Sequence, residues 1–106
     1  MTLQRESAPR PDGDSAVIVE LYTSAFCGAC HAARSVLERV AELVPSVEIR
    51  ELDVAFRPVD AEAAGIRMTP TVVVRRGNGD VVFRAEGAPS LPQALAALAL
   101  AMPPVP

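Results

Sequence analysis

Both cysteines and the single histidine of this 106-residue chain fall within five positions, Cys27 to His31, in the stretch SAFCGACHAA (24–33). Three chemistries draw on these residue types at this spacing. Two sulfurs three residues apart can cycle between a dithiol and a disulfide. Cys-x-x-Cys-His is also the attachment sequence of a covalently held haem, with His31 as one axial ligand. Sulfur and imidazole together can ligate a soft metal, but a closed zinc site needs four ligands and only carboxylates are left to complete the set.

The segments around the stretch determine what the sulfurs meet. AVIVELYT (16–23), just before it, is rich in β-branched and aromatic residues with apolar side chains on both faces, the pattern of a central strand covered on each side. ACHAARSVLERVAELV (29–44) predicts a helix with Val36, Leu37, Val40, Leu43 and Val44 turned inward, Arg34, Glu38, Arg39 and Glu42 mainly outward, and Pro45 as its stop. SVEIRELDV (46–54) reads as a second strand, and the helix-sized crossover between the two predicts a parallel pair with a right-handed connection. PVDAEAAGI (58–66) opens on proline, carries acids in its first turn and ends near glycine, which predicts a short helix. TVVVRRGNGDVVFRAEG (71–87) predicts a hairpin about GNGD, because asparagine and glycine tolerate the positive φ of tight turns. SLPQALAALALAM (90–102) reads as a last helix with a serine cap.

This order predicts one α/β domain over residues 15–102, a four-stranded mixed sheet with helices on both faces. Residues 1–14 are expected to form a disordered tail and 103–106 a frayed end. The cysteines then fall where the first strand hands over to the first helix. Free N–H groups and the helix dipole stabilise an anion there, which lowers a thiol pKa from its free value of about 8.5. Cys27, facing outward beside those amides, is the expected nucleophile, and Cys30, one turn further in, the expected resolving thiol.

Composition narrows the alternatives. Half the residues are hydrophobic, yet no apolar run approaches the roughly 20 that span a bilayer. A net charge of −3 and the absence of any basic cluster interleaved with aromatics argue against nucleic acid. The opening MTLQRESAPRPDGDSA has no apolar core of the kind a secretory signal needs, so a cytoplasmic protein is expected, and there two close cysteines serve catalysis or metal binding rather than a structural framework. Haem attachment normally takes place in exported proteins; it would also need Met68 or Met102 as a second axial ligand and a mostly helical wrap, which the hairpin around Asn78 opposes.

FCGAC after a hydrophobic strand, GIRMTPTVVV, GNGDVVFRAEG and a terminal helix together resemble the thioredoxin superfamily, over residues 16 to about 101. The resemblance implies a thioredoxin-like fold and a thiol–disulfide oxidoreductase that reduces protein disulfides through a mixed disulfide, with Cys27 and Cys30 as its catalytic pair. It implies a cis Pro70 facing the dithiol, with the backbone of Thr69 free to pair with an extended substrate segment. Phe26, Gly28 and Ala29 would line the substrate rim, and Gly87 matches the family's glycine late in the last strand. No metal and no organic cofactor is implied. The implied partners are disulfide-containing proteins and a thioredoxin-reductase-type or glutathione-based electron donor, and a monomer is expected.

The departures from the family are also informative. Too few structured residues precede Ala16 for the extra strand and helix that open larger thioredoxins, so a glutaredoxin-sized body is expected. Leu21 stands where thioredoxins bury an acid six residues before the first cysteine, and a chain without lysine cannot supply that acid's partner. Glu20, one residue away, points to the opposite face and is expected to pair with an arginine rather than carry protons. Phe26 replaces the family's tryptophan, and Gly28-Ala29, which helps set the redox poise, matches neither the Gly-Pro of thioredoxins nor the Pro-Tyr of glutaredoxins. EGAPS (86–90) lacks the acidic pair with which glutaredoxins hold glutathione, which favours protein disulfides. The alternative is a glutaredoxin-like protein that uses glutathione or bridges an iron–sulfur cluster between subunits through Cys27. His31 and Arg34 read as solvated helix residues, and Phe26 as either docking rim or half-buried core.

Overall fold

The structure, a computed structural model, describes residues 16–102. The expected tail (1–14) and frayed end (103–106) lie outside the described residues, as does any element preceding Ala16. Seven elements follow in order: β1 (Val17–Thr23), α1 (Gly28–Leu43), β2 (Val47–Asp53), α2 (Pro58–Ala63), β3 (Thr71–Arg76), β4 (Val81–Glu86) and α3 (Leu91–Ala101). The sheet order is β2-β1-β3-β4. β1 runs parallel to β2 and antiparallel to β3, which pairs antiparallel with β4. The central place of β1 accounts for its apolar residues on both faces, since both are covered; Glu20 is its one charged residue.

Alternation along the strands separates two cores. Val17, Val19 and Leu21 of β1 join Val72 and Val74 of β3 beneath Ala33, Leu37 and Val40 of α1 and Ala94, Ala97, Leu98 and Ala101 of α3. On the other face Tyr22, Leu52 and Val73 meet Ala61 and Ala64 at α2. The inner stripe of α1 runs through Cys30, Ala33, Leu37 and Val40, with Val36 and Val44 partly buried against it. Leu43, expected inside, is 48% exposed. At 100° per residue it lies roughly 100° round the helix from the centre of that stripe, and Ala33 takes the inner position instead.

Local chemistry ends each element. Ser90 caps α3 in a full capping box, its Oγ accepting from the N–H of Gln93 at 3.2 Å while its own N–H donates to Gln93 Oε1 at 2.9 Å. In the hairpin only Gly79 takes a positive φ, +99°. Asn78 contributes through its side chain instead, Oδ1 accepting the Asp80 N–H at 2.9 Å. The C-terminal ends of the parallel strands β1 and β2 and the N-terminal end of β3 thus lie along one edge of the sheet, and that edge carries the cysteines.

Candidate functional site

β1 ends at Thr23, and the chain turns through Ser24, Ala25 and Phe26 into α1. Phe26 holds φ +57° and is fully exposed. Non-glycine residues seldom take that conformation. It carries the ring away from both cores, so Phe26 lies on the rim and not half-buried.

Cys27 is the N-cap of α1, in extended backbone, and its Sγ accepts the N–H of Cys30 at 3.1 Å. This is the geometry in which a capping oxygen satisfies a free helix amide, with sulfur in the oxygen's place. Cys27 and Cys30 form a disulfide with their Cα atoms 5.2 Å apart. Cys30 is 1% exposed and Cys27 half-buried, so the first sulfur is the one that solvent reaches. Gly28, Ala29 and His31 are exposed beside it, and the first turn of α1 contains no acid to oppose the helix dipole.

The loop before β3 closes the other side. The Thr69–Pro70 peptide bond is cis. Thr69 Oγ1 and Ser24 Oγ lie 2.6 Å apart, tying this loop to the turn that precedes Cys27. Thr71 Oγ1 donates to the Met68 carbonyl at 2.6 Å, and the Gly87 N–H, from a residue at φ +97°, donates to the Pro70 carbonyl at 2.8 Å. Pro70 itself is buried, so the exposed surface of the loop is carried by Arg67 and Met68 and partly by Thr69. Phe56 after β2 and Val59 on α2, 81% and 77% exposed, extend the apolar surface beyond the C-terminal end of β2. The sequence reading missed Ser24, whose signal was a hydroxyl near a Thr-Pro loop, and it missed Phe56 and Val59, whose signal was apolar residues flanking a proline-started helix.

Two ion pairs lie on opposite faces of the sheet. Arg34, expected as plain surface charge, forks onto Glu51 of β2, Nε to Oε1 at 2.8 Å and Nη2 to Oε2 at 2.6 Å. Thr23 Oγ1 donates to the same carboxylate at 3.1 Å. The Arg34 hydrogen bonds hold the Glu51 carboxyl below the usual carboxylate range, against a smaller opposing effect of its partial burial, and Thr23 assists them. On the α2 face Glu20, 9% exposed, accepts from Arg75 Nε at 2.9 Å and from the Tyr22 hydroxyl at 3.1 Å. Burial, and then the neighbouring Glu20 charge, pushes the Tyr22 hydroxyl pKa up. The arginine pair expected for Glu20 is therefore present. It lies on the face that α1 does not cover, away from the sulfurs.

The arrangement brings one half-buried and one buried sulfur together at a helix N-terminus, under a loop tied down by Ser24, Thr71 and Gly87. Among the described residues no three histidine, cysteine, aspartate or glutamate side chains gather as a metal site. The described residues form a four-stranded mixed sheet with three helices, not the mostly helical wrap that haem attachment would need.

The Thioredoxin family profile matches residues 11–99. The thioredoxin of Methanocaldococcus jannaschii is 43% identical over 70 residues, which make up 65% of this chain and 79% of that protein. The thioredoxin-like protein YusE of Bacillus subtilis is 34% identical over 71 residues, 67% of this chain and 65% of that one. Among solved structures, the thioredoxin of Fasciola hepatica has the same fold, with a TM-score of 0.75 at 23% identity and 85% of each chain covered.

Proposed function

This chain belongs to the thioredoxin family of thiol–disulfide oxidoreductases, and we propose that it reduces protein disulfides, with Cys27 attacking and Cys30 resolving. The Cys27 thiolate attacks one sulfur of the substrate disulfide; that S–S bond breaks, a Cys27–substrate disulfide forms, and the other substrate sulfur leaves and takes up a proton. Cys30 loses its proton and attacks Cys27 Sγ, which releases the second substrate thiol and leaves the Cys27–Cys30 disulfide. A donor of two electrons and two protons, thioredoxin-reductase-type or glutathione-based, restores the dithiol. No metal or organic cofactor takes part.

The observation that carries this reading is Cys27 capping α1 with the Cys30 N–H on its sulfur at 3.1 Å, because a donor aimed at that atom favours its anion. Phe26, Gly28, Ala29 and Met68 supply an uncharged docking rim, and the Thr69 backbone, shaped by the buried Pro70, supplies the pairing edge for an extended segment. A monomer in the reducing cytoplasm suits a protein whose resting form is the dithiol.

The reduction potential of the pair, measured by equilibration with glutathione, tests the direction. The expected value lies near thioredoxin's, about −270 mV. A value near about −120 mV, as in strongly oxidising relatives of the fold, would make the protein a disulfide donor and contradict the proposal.

A further inference from the structure

We propose that Arg34 and Glu51 act as an opposed charge pair that sets the thiol–disulfide equilibrium of Cys27 and Cys30, Arg34 favouring the thiolate and Glu51 resisting it. The proposal rests on the dithiol reading above and adds to it two positioning residues on different elements.

Helix geometry places the cation. Cys27, Cys30 and Arg34 stand at i, i+3 and i+7, along one side of α1. Each Cα–Cβ bond tilts toward the helix N-terminus, so the Arg34 side chain leaves the backbone toward the sulfurs. Along the axis Arg34 is about 6 Å from Cys30 and about 10 Å from Cys27, at 1.5 Å per residue. That range is close to the Debye length of about 8 Å in physiological salt, so the charge reaches the site partly screened.

Strand pairing places the anion. Glu51 stands beside Leu21 in the β1–β2 register and faces the α1 side of the sheet. Its carboxylate is held from two directions, by the Arg34 fork and by Thr23, the buried last residue of β1 before the turn to Cys27. Two further charged groups stand close by: Glu38, one turn on along α1, and Asp53, two residues beyond Glu51 on the same face of β2 and beside Thr23 in the register. With both members present each charge partly offsets the other at the sulfurs, and the balance between them sets the equilibrium; with one removed, the other acts alone.

This predicts opposite signs for the two single neutralisations. The equilibrium is protein disulfide plus two glutathione thiols going to protein dithiol plus one glutathione disulfide. Arg34→Gln leaves Glu51 uncompensated, raises the Cys27 thiol pKa and moves the equilibrium toward protein disulfide by about threefold, about 14 mV at 29.6 mV per tenfold. Glu51→Gln leaves Arg34 uncompensated, lowers that pKa and moves the equilibrium about threefold toward dithiol. Arg34→Lys keeps the charge without the fork, and holds the equilibrium within about 1.5-fold of wild type.

The experiment is glutathione equilibration with a thiolate titration on the four proteins, each first checked for folding by circular dichroism. Both pair members are more than a third exposed, so their replacement leaves the core intact. Glutamine variants that shift in the same direction, or that both stay within about 1.5-fold of wild type, overturn the proposal. So does Arg34→Lys behaving like Arg34→Gln, since the clamp and not the charge would then be responsible. That comparison stands even if Glu51→Gln folds poorly. A wild-type pair that does not oxidise and reduce reversibly would overturn the underlying dithiol reading and this proposal with it.

Discussion

Cys27→Ser lowers protein-disulfide reductase turnover to below about one thousandth of wild type, since loss of a covalent nucleophile removes the reaction path itself. The substitution is well isolated. Serine is among the preferred N-caps, and its Oγ takes over the Cys30 N–H that Cys27 Sγ now accepts, so α1 keeps its first turn. A hydroxyl at that position does not ionise near neutral pH and forms no disulfide with substrate or with Cys30. Insulin reduction with dithiothreitol as donor measures the loss, and circular dichroism verifies the fold. Turnover within a few-fold of wild type would remove Cys27 from the mechanism.

The second large effect falls on stability and separates structure from catalysis. Arg75→Met leaves the Glu20 carboxylate, 9% exposed, with only the Tyr22 hydroxyl as partner among the described residues, and it also gives up the Arg75 bond to the Gly79 carbonyl of the hairpin. Breaking a fully buried pair costs about 3–5 kcal/mol; Arg75 keeps 26% of its side chain in solvent, so about 2 kcal/mol is expected here. In a domain of this size that lowers Tm by roughly 8–16 °C. Glu20→Gln, by contrast, leaves insulin-reduction turnover unchanged, because the pair lies on the α2 face and the sulfurs are served by α1. A stably folded Glu20→Gln protein with tenfold slower turnover would instead make Glu20 a proton carrier.

Most of the fold was legible because its elements are each specified locally. The β-branched run of β1, the 3.6-residue stripe of α1, Pro58 at the start of α2, Gly79 in the hairpin and the Ser90–Gln93 box all state their structure over a few residues. Leu43 was misread because it sits at the border of its stripe, where counting apolar residues cannot say which flank the sheet covers. The sulfurs were legible from type and spacing. Their surroundings were less so, because these depend on register between distant segments: Arg34 and Glu51 are 17 residues apart, Ser24 and Thr69 are 45, and Glu20 and Arg75 are 55. Alternation along β1 did predict that Glu20 turns away from the α1 side, but choosing among ten arginines needs the β1–β3 pairing that sets Arg75 beside Ile18 and within reach of Glu20.

Function here comes down to one atom in one field, the sulfur of Cys27 at the amide-rich end of α1. Titration of the thiolate by its ultraviolet absorbance in the Cys30→Ser variant reads that field without the second thiol. The expected result is a Cys27 pKa clearly below the free-cysteine value of about 8.5, so that a substantial fraction is anionic at neutral pH. A value at or above about 8.5 would mean that the helix end does not activate the sulfur, and would contradict the mechanism.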